Sequence, residues 1–368
     1  MTTTETELEL IPAAKPLIGM DERRAVDAVL ASGGLAQGPE VAAFEREFSE
    51  MLVESRPVTA VNSGTAALHL ALVALGVGPG DEVLVPSFTF AASANAVRLT
   101  GAEPVFVDID PATYCIAPSA IRAAITDRTR AVMPVHLYGH PADMTAIAEA
   151  AADHGLLVIE DAAQAHGARW AGHRVGSGSD AAAFSLYPTK NMTAGEGGMV
   201  ATATAGAARR VCLLRNQGME RRYENEVVGH NARMSDIHAA IGRVQLAKLP
   251  QWTAQRQANA SYLSGELRGV VTPVVLPGAE HVFHQYVIRV PEDRDGFAAA
   301  LRTEFGIGTG VYYPTPVHRL PSFGLDVDLP ETERAAAQVL ALPVYPTLTL
   351  RQLDRIVAAV NTLAEAGR

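Results

Sequence analysis

The sequence predicts an α/β fold, with a large domain built on a mainly parallel sheet and a smaller C-terminal α/β domain. Two observations predict it. From Val58 onward short apolar runs alternate with segments of helical period, the pattern of strands that are linked by crossover helices and buried on both faces. The 368 residues also exceed what one hydrophobic core usually organises, so a second unit is expected. The large domain is placed at 1–250, with an N-terminal arm at 1–20, and the small domain at 251–368.

The elements follow in order. Two amphipathic helices are expected at Asp21 to Ser32 and Pro39 to Leu52, since Val41, Phe44, Phe48 and Leu52 recur at helical spacing and Pro39 suits a first turn. A strand to Val61, a helix from Thr65 to Leu75, a strand at Glu82 to Val85 and a helix around Ala91 to Leu99 come next. Strands at Pro104 to Val107 and Ala131 to Val135, a helix from Asp143 to His154, and strands at Leu156 to Glu160 and Asp180 to Leu186 continue the alternation. Helical pattern returns at Ala205 to Asn216 and Ser235 to Leu249. There Pro250 is expected to interrupt the continuation into Trp252 to Leu267, which sets the domain change. The small domain offers strands at Phe283 to Val290 and Gly310 to Tyr313, and helices at Asp295 to Phe305, Glu331 to Leu340 and Leu350 to Ala366.

Composition narrows the function. Thirty Lys and Arg against 40 Asp and Glu give a formal net charge of −10, which argues against a general nucleic-acid or acidic-membrane surface but leaves local anion sites open. Met1 to Leu10 lacks a basic n-region and an apolar h-region, and no apolar run is long enough to span a bilayer, so a cytoplasmic protein is expected. Cys115 and Cys212 fit no metal or redox spacing and read as free buried thiols.

The stretch Phe184 to Gly198 holds a single lysine, Lys190, between an apolar strand and the glycines 195, 197 and 198. A lysine held at a strand end is desolvated. That lowers its pKa and exposes an amine suited to Schiff-base chemistry with pyridoxal phosphate (PLP). Ligands of open α/β sheets gather at the carboxyl ends of strands, and three further features lie there. Asn62-Ser63-Gly64-Thr65 opens a helix, where free N–H groups and the dipole receive a phosphate; a plain N-cap would look the same. Asp161 follows a strand and could pair with a protonated pyridine nitrogen, although a capping aspartate is the ordinary alternative. Pro86-Ser-Phe-Thr-Phe90 offers Phe88 and Phe90 as a ring face, or as core. Gln164 could bond ring substituents, and Ser185 could add a phosphate ligand.

Other patterns are weaker. Gly76-Val-Gly-Pro-Gly80 and Gly306-Ile-Gly-Thr-Gly310 neither follow a strand nor open a helix as a dinucleotide fingerprint should, and read as turns. His136 and His140 are four apart, but Gly139 and Pro141 oppose a helix there, so no metal is expected.

Taken together, Leu35-Ala-Gln-Gly-Pro-Glu-Val, Asn62-Ser-Gly-Thr-Ala-Ala-Leu, Pro86-Ser-Phe-Thr-Phe, Glu160-Asp-Ala-Ala-Gln-Ala-His-Gly, Pro188-Thr-Lys-Asn, Gly195-Glu-Gly-Gly, Gly229-His-Asn-Ala-Arg-Met-Ser and Tyr313-Pro-Thr-Pro-Val-His carry a resemblance. The chain resembles, nearly end to end, the sugar aminotransferases of the StrS/DegT type, a family of PLP-dependent fold type I enzymes. The resemblance implies that Lys190 is the Schiff-base lysine, Asp161 the partner of the pyridine nitrogen and Gln164 a neighbour of the ring hydroxyl. It further implies that Ser63, Gly64, Thr65 and Ser185 hold the phosphate and Phe90 stacks on the ring. Asn231 would reach a neighbouring subunit's cofactor, so at least a homodimer is implied. Lys15, Arg233, Tyr313 and His318 fall in segments that line the substrate mouth in such enzymes.

Some members of the family carry histidine at the lysine position and act as dehydratases, so Lys190 favours amino transfer. The expected reaction is transamination of a nucleotide-linked keto-sugar, with L-glutamate as donor. Amination of a keto-cyclitol is the alternative, and a PLP-binding regulatory protein without turnover is the third reading.

Overall fold

The computed structural model describes residues 9–366. In chain order the elements are α1 (Met20–Ser32), α2 (Pro39–Leu52), β1 (Val58–Val61), α3 (Gly64–Ala74), β2 (Glu82–Pro86), α4 (Ala92–Leu99), β3 (Glu103–Val107), α5 (Pro118–Ala124) and β4 (Thr129–Val132). Then come α6 (Met144–Ala152), β5 (Leu157–Asp161), β6 (Arg169–Trp170), β7 (His173–Arg174), β8 (Ala181–Ser185), β9 (Gly198–Thr202), α7 (Ala205–Arg215) and α8 (Asp236–Glu266). The chain closes with β10 (Ala279–Glu280), β11 (Tyr286–Arg289), α9 (Arg294–Phe305), α10 (Pro330–Gln338), β12 (Val339–Leu342) and α11 (Leu350–Ala366).

Seven strands form the main sheet in the order β1-β9-β8-β5-β4-β2-β3. It is mainly parallel, with β9 antiparallel to both its neighbours, β1 and β8. One apolar layer, holding Phe44, Phe48, Phe184, Leu246 and Leu249, packs α2 and α8 on one face. The other face is covered by the Leu68, Leu70 and Leu72 side of α3 with Val97 and Val211. Helix α3 is apolar nearly all round, as a helix buried in such a layer must be. The edge strand β1 does not leave its free edge bare. The Ala60 N–H donates to Glu45 Oε1 at 2.8 Å and its carbonyl accepts from Arg215 Nη1 at 2.7 Å.

Helix capping is local for α3, α6, α7 and α8, through Ser63, Asp143, Thr204 and Ser235. Helix α2 starts at Gly38, which has no side chain to offer. Its cap comes from far along the chain: Asp236 accepts from the N–H groups of Gly38 (2.8 Å), Val41 (3.0 Å) and Glu40 (3.3 Å). This ties α2 to the start of α8.

Four expectations are corrected. Helix α8 runs unbroken through Pro250 over 31 residues. An internal proline costs about 3 kcal/mol, but the halves of the helix are pinned to different cores, Leu246 and Leu249 to the one on the main sheet and Ala260 and Leu263 to the one around β11 and β12. Gly310 to Tyr313 is not a strand; Gly310 makes only an isolated bridge to Ala341. The helix expected to reach Leu340 stops at Gln338, and Val339–Leu342 pairs antiparallel with β11, where its four buried apolar residues read equally well as either element. The strand expected to run to Val135 ends at Val132, with Val135 keeping only a bridge to Asp161.

The segment before α1 packs into the core around β11 and β12. Ile11 is fully buried there and pairs in parallel with Ile307, while Gly308 N donates to the Ile11 carbonyl at 2.8 Å. A side chain at Gly308 would come within 3.0 Å of the Ala13 amide. The Gly306 to Gly310 segment is therefore a docking track for the arm, which carries Lys15 toward the strand ends.

Candidate active site

The carboxyl ends of β1, β5 and β8 converge, and the residues after them build the site. Asp161 ends β5 opposite Ala183 of β8. Its carboxylate is buried and held from two sides, Oδ2 accepting from Ser93 Oγ at 2.7 Å and Oδ1 from the Ala163 N–H at 3.1 Å. Behind it, Glu160 pairs with His136 Nε2 at 2.8 Å and accepts from the Gly176 N–H at 2.9 Å. Since His136 Nδ1 accepts from the Ala142 N–H, the proton sits on Nε2. That pair fixes the strand end in the core.

Lys190 lies in the loop between β8 and β9. The loop is closed at its base by Leu186 N to the Gly197 carbonyl and Ala194 N to the Leu186 carbonyl, and Asn191 Nδ2 latches it to the Val282 carbonyl at 3.0 Å. The Lys190 side chain is half-buried. Desolvation pushes its pKa down to about 8, against the opposing pull of Asp161. A neutral amine is thereby accessible near neutrality, as nucleophilic and proton-transfer roles require. His166, packed against Phe48 and Phe184, is pushed to about 3 by burial and then by the Lys190 charge, and neither ring nitrogen has a hydrogen-bond partner.

The first turn of α3 meets the end of β8. A Cβ on Gly64 would stand 2.8 Å from Ser185 Cβ, and a Cβ on Gly198 would stand 2.4 Å from the Ser63 carbonyl oxygen. Only glycine allows this approach. The open N–H groups of the helix start and the Ser185 hydroxyl thus face one cradle, suited to a phosphate. Ser63 Oγ itself accepts from the Ala66 N–H, so its capping role and a phosphate role coexist at one helix end.

Gln164 is oriented by the Tyr138 N–H, which donates to Oε1 at 2.7 Å, and its Nε2 donates to the Tyr313 hydroxyl at 3.1 Å. Phe90 is exposed and its ring lies 6.0 Å from that of Tyr313, whereas Phe88 is fully buried as core. Lys15 lines the hollow beside Lys190, together with Arg256, His284 and Tyr312. Arg233 bridges Val61 and donates to Asn216 Oδ1 at 2.9 Å. Asn231 is exposed on the adjoining segment, whose next residue, Ala232, accepts from the Asn62 N–H.

His318 is not brought to the cleft. It is fully buried, with Nδ1 2.6 Å from Ser87 Oγ and Nε2 3.4 Å from Glu333. Ser87 directly follows β2, so His318 is tied to the end of that strand.

Sequence reasoning missed Ser93, which holds Asp161, and Arg256, which lines the lysine hollow. Ser93 had one signal, a hydroxyl on the apolar side of a short helix. Arg256 had none, because an arginine in a long helix usually faces solvent.

The residues present suit PLP: a cradle that a Cβ would fill, a fixed carboxylate, and a lysine of lowered pKa in the loop after β8. Fold and site together define a PLP-dependent aminotransferase. The chain belongs to the DegT/DnrJ/EryC1/StrS aminotransferase family, whose sequence pattern it matches over residues 16–361. It is 46% identical over 349 residues, 93% of this chain and 91% of the relative, to the dTDP-3-amino-3,4,6-trideoxy-alpha-D-glucose transaminase of Streptomyces venezuelae. It is 45% identical over 304 residues, 81% of this chain and 82% of the relative, to the UDP-N-acetyl-3-dehydro-alpha-D-glucosamine 3-aminotransferase of Acidithiobacillus ferrooxidans. Among solved structures, S. venezuelae DesV in complex with a ketimine intermediate superposes with a TM-score of 0.91 at 45% identity, over 94% of this chain and 95% of that one.

Proposed function

We propose that the protein transfers an amino group from an amino acid, L-glutamate by preference, to a keto-sugar carried on a nucleotide, with Lys190 and Asp161 as its catalytic residues. The observation that carries this reading is the placement of Lys190 in the loop after β8, with the carboxylate of Asp161, held by Ser93, at the end of the neighbouring strand β5. When bound, PLP supplies an electrophilic carbon for the amine and a cationic ring that draws off the electron pair left when the substrate carbon loses its proton.

The chain supplies the rest. Lys190 Nζ, neutral in part at pH 8, would take the proton from the substrate carbon as a general base and, once protonated, give it back as a general acid. Asp161, its carboxylate aimed by Ser93 Oγ and the Ala163 N–H, would meet the ring nitrogen of the bound cofactor. Ser63, Gly64, Thr65 and Ser185 would anchor the phosphate and so keep the reacting atoms in register. Gln164, oriented by the Tyr138 N–H and the Tyr313 hydroxyl, would bond ring substituents, and Phe90 with Tyr313 would wall the opening. Lys15 and Arg233 would meet the acceptor's charged groups in this reading.

Both relatives' names place the amino group at C3, so 3-keto sugars on dTDP and UDP are the first acceptors to test. The test is to load the protein with the amine form of the cofactor and follow absorbance on adding each acceptor. Conversion with nucleotide keto-sugars alone supports the reading; conversion only with keto-inositols would replace it with the cyclitol one.

The active unit in this reading is a homodimer with shared sites, and the large and small domains divide at 250/251, inside α8. What supports the dimer is Asn231, a polar side chain left exposed beside the phosphate cradle, with Val228 at 93% exposure close by. Light scattering of the purified protein tests it: a monomer that turns over at full rate would remove the shared site.

A further inference from the structure

Three arginines are buried among the described residues: Arg215, Arg256 and Arg294. Two of them meet carboxylates, Arg215 with Glu45 at 2.5 Å and Arg294 with Asp295 at 2.6 Å. Arg256 differs. It is 7% exposed, one of its nitrogens, Nη1, makes two long bonds to the carbonyls of Phe283 (3.2 Å) and His284 (3.4 Å), and its Nε has no partner. No carboxylate compensates its charge, and burial alone lowers its pKa to about 10. A buried cation held without a counter-charge is costly unless an anion arrives to meet it.

The place where an anion would arrive is defined. Arg256 lines both hollows that flank Lys190, and Lys15 lines both as well. Neither hollow has an Asp or Glu in its lining. His284, which shares the first, is kept neutral by burial and by the charges of Lys190 and Arg256. The region therefore presents cations only, on the side of Lys190 that the arm and the small unit enclose.

We propose that Arg256 anchors the carboxylate of the amino donor, taking the α-carboxylate of an incoming amino acid and holding it until it leaves as the 2-oxo acid. This rests on the aminotransferase reading of the Lys190 site. The choice of occupant follows from bond counting. In an α-amino acid the carboxylate is attached to the same carbon as the reacting nitrogen, so it must lie in the same hollow as Lys190. In a nucleotide keto-sugar the diphosphate hangs from the anomeric carbon, separated by ring atoms from the keto carbon, and projects outward toward the exposed Lys15. A guanidinium fork also matches a carboxylate bidentately.

The experiment separates the two half-reactions of the holoenzyme in wild type, Arg256→Gln and Arg256→Lys, with thermal melts to show that each is folded. Stopped-flow absorbance reads the reaction with L-glutamate, and the reverse step with a carboxylate-free nucleotide keto-sugar. Calorimetry reads binding of glutarate, which cannot react. The expected result is a rise of about tenfold or more in the apparent Kd for L-glutamate and glutarate in Arg256→Gln, a smaller rise in Arg256→Lys, and a keto-sugar step within about twofold of wild type. Equal loss in both half-reactions with glutarate binding unchanged would overturn it, leaving Arg256 as a clamp on the 283 and 284 carbonyls. Selective loss of the keto-sugar step would overturn it in favour of a diphosphate anchor. Wild type silent toward L-glutamate but reactive with another amino acid would refute only that donor, and the same variants would then be read with the amino acid that reacts.

Discussion

Ser93 Oγ donates to Asp161 Oδ2 at 2.7 Å, which makes a residue of α4 the partner that aims the carboxylate at the end of β5. The same hydroxyl is 2.9 Å from Thr89 Oγ1, so it stays in place through a second contact. Removing it leaves Asp161 with the Ala163 N–H alone. Hydrogen bonds to charged groups are worth about 1.5–3 kcal/mol. Ser93→Ala is therefore expected to lower kcat by about tenfold, with Ser93→Thr recovering part of the loss and the melting temperature nearly unchanged. Steady-state kinetics beside a thermal melt check it.

Lys190 sets a pH dependence whose sign is fixed. Its pKa in the folded protein, about 8, lies below that of an ordinary lysine. Above pH 8 the folded protein holds it mostly neutral, whereas an exposed lysine remains protonated for two further pH units or so. The rate at which cofactor-free protein captures PLP should rise with pH about a midpoint near 8. A midpoint above 10 would mean that desolvation does not act on this amine.

The cradle between Gly64 and Ser185 tolerates no side chain. Gly64→Ala would force Cβ against Ser185 Cβ at 2.8 Å, moving the helix start or the strand end. PLP affinity, measured by absorbance titration, is expected to fall by about tenfold or more. Gly178→Ala serves as the comparison, because a side chain there meets nothing within 4 Å.

Asp236 is expected to matter for stability. Its carboxylate serves three N–H groups at the start of α2, and Asp236→Ala leaves them without it. Chemical denaturation should show a loss of about 2–3 kcal/mol. Asp236→Asn retains one acceptor oxygen and should lose less.

Much of this fold was legible because the strands announce themselves. Val58–Val61 and Glu82–Pro86 are short apolar runs between turns, and the alternation that follows could only be a mainly parallel sheet. Lys190, Asp161 and Ser63 to Thr65 were legible as candidates because each falls just after such a run. The misreadings have one physical source, which is tertiary contact overriding local preference. Pro250 stays in a helix because two separate cores hold its ends, and Val339–Leu342 becomes a strand because β11 offers it a partner. Ile11 and Gly308 looked like an arm and a turn until their pairing showed one to be the seat of the other. Arg256 was invisible for the opposite reason: nothing in a helical sequence marks an arginine that lacks its counter-charge.

The most direct measurement compares wild type with Lys190→Ala, both folded, given L-glutamate and a dTDP- or UDP-linked 3-keto sugar. The account predicts that wild type forms 2-oxoglutarate and amino sugar in equal amounts and that the variant completes neither half-reaction catalytically. Wild-type turnover by Lys190→Ala, or a wild-type protein that aminates no nucleotide-linked keto-sugar, would contradict it.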